Sequence, residues 1–244
     1  MKVNRKVVFI TGASSGLGLS LSKKFVEEGW FVIGVSLTRK HWKNALSVVP
    51  GDRFQLFQLN TTREAQVRQL IASIHRKFKP IDLVINNAGY GGRLSYVDQV
   101  SREELQKHIE SNFYSTFFVC KYVIPVFKEQ GRGLIINISS MAGKRAVPRL
   151  APYSISKFGV VALSQCIAKE NVKHHVKCIT ICPGGMNTRM RASLFGEEDA
   201  KKQQSADFVA HQIFDCATGK IQVESGRDVV IRHGQVQVNP APPG

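Results

Sequence analysis

The 244-residue sequence predicts an α/β fold, a doubly wound and mostly parallel seven-stranded sheet with helices on both faces. Three observations predict it. Short apolar runs recur along the chain with amphipathic stretches between them, the pattern of βαβ units. Those runs are long enough for strands buried on both faces. A turn with three glycines, Thr11-Gly-Ala-Ser-Ser-Gly-Leu-Gly18, stands between the first apolar run and the first amphipathic stretch.

In chain order the expected strands are Lys6 to Thr11, Phe31 to Ser36, Phe54 to Asn60, Ile81 to Asn86, Leu134 to Ser139, Lys177 to Cys182 and a weaker Asp228 to Arg232. Helical periodicity fills the gaps: Leu17 to Glu28, Glu64 to Phe78, Glu103 to Lys128, Pro152 to Asn171 and Ala206 to Thr218. Two helices carry the start signal of a capping box, Thr61 with Glu64 and Ser101 with Glu104. With no proline-rich or low-complexity linker and 43% hydrophobic residues, residues 1–244 read as one domain with one sizeable core. Residues 238–244 read as an extended tail.

Composition excludes several function classes. No apolar run approaches the roughly 18 to 20 residues needed to cross a bilayer, and the first residues offer no secretory h-region, so the expected location is the cytoplasm without membrane partners. The five cysteines form no C-x-x-C pair and read as reduced, mostly buried thiols; Cys178 and Cys182 would share a strand face. The seven histidines are scattered, so no metal site is expected. With 34 Lys and Arg against 18 Asp and Glu, the net charge is +16, which attracts anions through a long-range field. No basic run interleaved with aromatics accompanies it, so specific nucleic-acid binding is not expected.

Between first strand and first helix, Gly12, Gly16 and Gly18 permit a tight turn, close approach of a pyrophosphate and close helix packing, while the helix N-terminus supplies amide donors. Tyr153 and Lys157 lie four apart on one helix face, so the ammonium is expected to favour the phenolate and make a tuned proton donor or acceptor. Ser140, at the carboxyl edge of the sheet, is placed to hold a substrate oxygen. An acidic residue at the end of the second strand would select NAD; Phe31 to Lys40 contains none, and Ser36, Arg39 and Lys40 suit a 2′-phosphate, which predicts NADP(H).

Taken in order, Gly12 to Gly18, Asn86-Asn-Ala-Gly89, Asn112, Ser139-Ser140 and Tyr153-Ser-Ile-Ser-Lys157 resemble the signatures of the short-chain dehydrogenase/reductase superfamily in its one-domain Rossmann form, over residues 5 to about 190. The resemblance implies an oxidoreductase interconverting a carbonyl and an alcohol. Tyr153 would protonate the carbonyl oxygen, Ser140 would orient it, Lys157 would also hold the nicotinamide ribose, and Asn112 would support a water linking Lys157 to solvent. Ser140 rather than Ser139 is chosen because the family's serine precedes its tyrosine by thirteen positions. Cofactor contacts are expected from Ser14, Ser15, Leu17 and the turn glycines, from Asn86, Ala88 and Gly89 beside the adenosine, and from Ser36, Arg39 and Asn60. Pro183, Gly184, Met186 and Thr188 resemble the P-G-x-x-x-T segment that holds the carboxamide.

Substrate loops over the sheet's carboxyl edge are basic, with Arg93, Lys144, Arg145, Arg149, Arg189 and Arg191, and could steer an anionic substrate such as a 3-oxoacyl group. Tyr90, Met141, Val147, Met186, Met190 and Phe195 are candidate apolar lining. Residues 189–204 read as a short lid, and the two long helices imply, by resemblance, a homodimer or homotetramer. The rival reading is a non-catalytic NADP(H)-binding sensor or scaffold, since fold alone does not secure chemistry.

Overall fold

The structure, a computed structural model, describes residues 5–49 and 51–240. Its strands are β1 (Val7–Thr11), β2 (Phe31–Ser36), β3 (Phe54–Gln58), β4 (Leu83–Asn86), β5 (Gly133–Ile138), β6 (Val176–Pro183), β7 (Met186–Asn187), β8 (Gln204–Ser205), β9 (Asp228–Arg232) and β10 (Gln235–Asn239). The helices are α1 (Gly16–Glu27), α2 (Trp42–Val48), α3 (Glu64–Phe78), α4 (Arg102–His108), α5 (Ser115–Gln130), α6 (Ala151–Glu170), α7 (Arg189–Phe195), α8 (Glu197–Lys201) and α9 (Ala206–Thr218).

An eight-stranded sheet in the order β10-β9-β6-β5-β4-β1-β2-β3 carries the fold, and β7 pairs with β8 separately. Every pairing in the large sheet is parallel except β9 with β10. Side chains alternate through it. Val8 and Ile10 of β1 join α1 and α9 residues such as Leu21, Phe25 and Ile213 on one face. Val7 and Phe9 join Val67 and Ile71 of α3 and Val119 and Val123 of α5 on the other. Strand order reverses between β1 and β4, opening a crevice at their carboxyl ends.

The sheet thus has one strand more than the seven expected. Strand β10, Gln-Val-Gln-Val-Asn, is too polar to read as a buried strand, and it is recruited by a two-residue hairpin in which His233 (φ 51°) and Gly234 (φ 73°) both take left-handed backbone. Val238 and Asn239, assigned to an extended tail, belong to this strand; residues 241–244 lie outside the described residues. The single helix expected from Glu103 to Lys128 is broken by a π-helical turn, Ile109–Tyr114. At Ser101 the cap forms, its hydroxyl accepting from Glu104 N. At Thr61 it does not: α3 starts at Glu64 after Arg63, and Asn60 Oδ1 instead accepts from Thr62 N at 3.0 Å and from Thr62 Oγ1 at 2.8 Å.

Candidate active site

The turn after β1 docks on the turn after β4 through one hydroxyl. Thr11 Oγ1 accepts from Asn87 N and Ala88 N, each at 2.9 Å, and Asn87 Nδ2 donates to Thr11 O at 2.9 Å. Gly18 is required by contact: a Cβ there would lie 2.0 Å from Gly12 O. Gly16 is required by conformation, with φ +51°, and the space beside it is open, the nearest atom to a Cβ being Thr188 Cγ2 at 3.8 Å. The N-cap of α1, Ser15, makes no side-chain cap bond, so the amides at the head of this helix face the crevice.

Here lies a cavity of about 410 Å³. Gly12, Ser14, Ser15, Gly16 and Leu17 form one wall, Ala88 and Gly89 a second, Tyr153 and Lys157 a third, and Met186 and Thr188 a fourth. Of the expected cofactor residues, Gly18, Ser36, Arg39, Asn60, Asn86, Pro183 and Gly184 lie outside its lining. Asn86 is 2% exposed inside the sheet, where its Nδ2 donates to Asn137 Oδ1 at 2.8 Å; Asn87 lines the cavity in its place. The Ser36 hydroxyl accepts from Trp42 Nε1 at 2.6 Å and donates to Thr38 O, while Arg39 lies over the Trp42 ring and donates to Gln58 Oε1. No acidic side chain follows β2 before α2.

Tyr153 also lines a second cavity of about 260 Å³, together with Ser140, Pro183 and Gly184. Ser140 Oγ accepts from Ala142 N at 3.1 Å. Ser139 is buried and donates to Lys157 O at 2.9 Å. Lys157, 4% exposed, donates from Nζ to Ile138 O at 2.9 Å, and burial pulls its pKa down to about 8. Burial pushes the Tyr153 phenol above its ordinary value, with Ser140 pulling it partly back. The expectation that Lys157 acidifies Tyr153 is not met in the protein alone: desolvation raises the phenol, and the opposing pull comes from Ser140 rather than from the ammonium. Asn112, fully buried in the π-helical turn, lies behind this group. Its Oδ1 accepts from Tyr90 N at 2.6 Å, and its Nδ2 donates to Tyr90 O at 3.0 Å and to Ser156 Oγ at 2.9 Å. Gly89 lies between the two side chains, a Cβ there being 3.0 Å from Asn112 Oδ1 and 3.6 Å from Lys157 Nζ.

A family model described as short chain dehydrogenase matches residues 6–199, a span that holds the glycine turn, Asn112, Ser140, Tyr153 and Lys157. The chain belongs to the short-chain dehydrogenase family. Among curated proteins, the 3-ketodihydrosphingosine reductase of Bacteroides thetaiotaomicron is 35% identical over 185 residues, 75% of this chain and 65% of that relative's own length. A point variant of actinorhodin polyketide ketoreductase, solved with NADPH, superposes with a TM-score of 0.86 at 25% identity, covering 95% of this chain and 97% of that one. The 3-ketoacyl-(acyl-carrier-protein) reductase of Brucella melitensis, complexed with NADH, shares the fold with a TM-score of 0.85 at 24% identity, over 93% of this chain and 96% of its own.

Several residues of this short-chain dehydrogenase escape a reading of the sequence. His41 and Asn44 line the first cavity, where Arg189 Nη1 lies 3.0 and 3.1 Å from the two ring nitrogens of His41, one of which accepts from it. Gln203, Arg232 and His233 line the second, beside the expected Met141, Val147, Met186, Met190 and Phe195. Tyr90, expected there, instead packs on His108, with ring centroids 4.9 Å apart. Two of the basic residues expected to meet an anion are already neutralised: Lys144 pairs with the buried Asp228 at 2.5 Å, and Arg191 with Asp199. Arg149 lies over the Tyr96 ring. No motif marks Arg232 or His233, because the hairpin that presents them is the one the sequence conceals.

Proposed function

We propose that this short-chain dehydrogenase is an NADP(H)-dependent oxidoreductase that interconverts a carbonyl and an alcohol, with Tyr153 as general acid and base. One observation carries the reading: Tyr153 lines both cavities, so a single phenol borders the glycine-walled space and the apolar one. The first cavity fits a dinucleotide by its open glycine turn and uncapped helix head. Gly12, Ser14, Ser15, Gly16, Leu17, Ala88, Gly89, Met186 and Thr188 would hold it there, with Gly18 closing the turn, Asn86 bracing it from the sheet, and Ser36, Arg39 and Asn60 beyond it toward the adenosine. Lack of an acid after β2 and the presence of Arg39 support NADP(H) over NAD(H). The bound nicotinamide supplies or accepts the hydride.

The protein's own part follows from its pKa values and bonds. A phenol held above its ordinary pKa stays protonated near neutrality and can donate to a carbonyl oxygen as negative charge develops on it. Ser140 would hold that oxygen, Lys157 would exchange a proton at Nζ, and Asn112 would hold the path from Lys157 toward solvent. Residues 189–204 would form the lid of one domain located in the cytoplasm. Among the described residues no helix is long and apolar enough to cross a membrane. The exposed Tyr114 and Phe117 before and within α5, with Ile155 and Phe158 on α6, support a homodimer or homotetramer built on these helices.

The second cavity supports an anionic, otherwise apolar substrate, such as a 3-oxoacyl group. Arg145, Arg232 and His233 line it together with Val147, Leu194 and Phe195 and the neutralised Arg191, and no Asp or Glu among the described residues does. Arg145 and Arg232 have no ion-pair partner among the described residues. A panel of carbonyls read at the NADPH absorbance band, with NADH in parallel, tests the reaction. Keto acids of graded length compared with their methyl esters test the anion. The acids are expected to have kcat/KM values about tenfold higher at low salt, with the advantage lost in an Arg145→Ala, Arg232→Ala double variant. Equal values for acid and ester reject the anion, and inertness of every carbonyl rejects the reaction.

A further inference from the structure

Behind Tyr153 the structure buries a histidine that the reaction above does not use. His108, the last residue of α4, is 1% exposed. Its ring meets Tyr90 at 4.9 Å and, edge-on, Tyr153 at 6.1 Å between centroids. Its Nε2 lies 3.3 Å from Glu104 Oε1, and its Nδ1 lies 3.5 Å from Asn112 Nδ2, a long contact. The Tyr90 hydroxyl donates to the same Glu104 carboxylate at 3.3 Å, and Lys107 Nζ lies 4.2 Å from the Tyr90 ring centre. Gly92, at φ +70°, makes the space: a Cβ there would stand 2.2 Å from His108 Nε2 and 2.6 Å from Glu104 Oε1.

The backbone fixes the Asn112 amide, and the Glu104 carboxylate fixes the His108 tautomer. Tyr90 N–H can only donate, so the Asn112 atom 2.6 Å from it is the oxygen, and the other atom, the NH2 group, faces His108 Nδ1. Both hydrogens of that NH2 group go to Tyr90 O and Ser156 Oγ, so the 3.5 Å contact is not a hydrogen bond; the Glu104 carboxylate, which can only accept, places the ring proton on Nε2 and leaves Nδ1 bare beside the amide. A neutral imidazole suits both neighbours, whereas a second proton on Nδ1 would set N–H against N–H at Asn112.

We propose that His108 is a positioning residue: neutral and protonated on Nε2, it holds the Asn112 amide and the Tyr153 ring in their working places, and taking up a proton on Nδ1 disengages them. The proposal rests on the catalytic reading above for Tyr153 and Asn112. The groups facing His108 are Glu104 and Lys107 on its own helix, Tyr90 after β4, and Tyr153 and Lys157 on α6. Burial lowers the His108 pKa most, Glu104 opposes it, and Lys107 and Lys157 add to it, so the neutral form prevails at neutral pH and fails on acidification. Loss of turnover with a changed kcat and a little-changed KM is the expected signature in acid.

The test compares wild type with His108→Gln, His108→Leu and Glu104→Gln, measuring kcat and KM for carbonyl reduction by NADPH from about pH 5 to 9, with NADPH binding followed by fluorescence. Glutamine can donate and accept but cannot titrate, so His108→Gln should keep kcat within about threefold of wild type at the alkaline end and lose the acid limb. Glu104→Gln should shift that limb to lower pH, because the carboxylate favours the imidazolium. His108→Leu should lower kcat about tenfold across the range while NADPH affinity stays within about twofold. An acid limb unchanged in His108→Gln, or wild-type kinetics in His108→Leu, overturns the proposal. Nitrogen NMR of the His108 ring decides separately from turnover: an Nδ1–H or doubly protonated ring at about pH 8 overturns the proposal even if no carbonyl is reduced. A wild type inert toward all carbonyls with an Nε2–H ring instead removes the catalytic reading and leaves the tautomer standing.

Discussion

Two walls of the glycine-side cavity are backbone and short side chains that follow β1 and β4, whereas the second cavity is lined by long side chains from the segments after β5, β6 and β9. On the first side a missing Cβ is the essential feature, and the contacts behind it are close and short: Gly12 O against Gly18, and the Thr11 hydroxyl accepting from Ala88 N. On the second, Gly184 and Gly185 make room for the flexible stems of Arg232 and Gln203. A rigid wall suits an invariant ligand, and a wall of rotatable arginines and methionines suits selection among substrates. The phenol is shared by both, with Ser139, Met186, Thr188 and Met190 beside it.

Removing that shared part has the largest expected effect. Tyr153→Phe should reduce kcat by about a thousandfold or more for every carbonyl, since the proton donor is lost, while NADPH affinity changes by no more than about threefold. Turnover at the wild-type rate would detach both cavities from the chemistry. The glycines provide the next test. Gly18→Ala drives a methyl into Gly12 O, an immovable backbone atom 2.0 Å away, and should cost about 3 kcal/mol or more in urea unfolding together with NADPH binding. Gly184→Ala meets only Arg232 Cγ at 2.7 Å, which can swing aside, so about 1 kcal/mol is expected, with NADPH binding retained. Equal penalties would erase the distinction between the two walls.

Lys144 extends the comparison to the loop after β5. It reaches across to Oδ2 of Asp228, which is 2% exposed at the start of β9 and whose Oδ1 has no hydrogen-bond partner among the described residues. The pair ties the second cavity's loop to the sheet. Lys144→Met leaves a buried carboxylate without its countercharge and should destabilise by about 3 kcal/mol, whereas Lys144→Met combined with Asp228→Asn should recover most of it. Melting temperatures of the two variants check this; a single variant as stable as wild type would make the pair incidental.

What could be read from the sequence divides along the same line. The strands β1 to β6 were legible because each buries alternate residues on two cores, leaving continuous apolar runs. The glycine turn, Ser140, Tyr153 and Lys157 were legible as positions because spacing on a strand end or one helical turn fixes where they stand. Their electrostatics were not: the helical spacing of Tyr153 and Lys157 says that they are near, and only the packing around them shows that burial, not the ammonium, governs the phenol. The second cavity was legible only in part, since Arg145 and the methionines lie in loops already under suspicion, whereas Arg232 and His233 depend on a hairpin with a polar second strand. His108 reads as one more helical residue until the π-helical turn places it under Tyr153.

The smallest effect separates two start signals of identical form. Ser101 and Thr61 each precede a glutamate by three positions, and only Ser101 caps its helix. The difference is set one residue upstream of Thr61, where Asn60 Oδ1 accepts from both Thr62 N and Thr62 Oγ1 and leaves the chain extended at Arg63, so α3 starts too late for Thr61 to reach its amides. Ser101→Ala should therefore cost about 1 kcal/mol, the usual worth of a side-chain cap, while Thr61→Val, which keeps the shape of this buried side chain, should cost less than about 0.5 kcal/mol. Asn60→Ala should exceed Thr61→Val, because it frees the turn that displaces the cap. Urea midpoints at constant m-value resolve the three, and a Thr61→Val penalty equal to that of Ser101→Ala would place the start of α3 at the threonine after all.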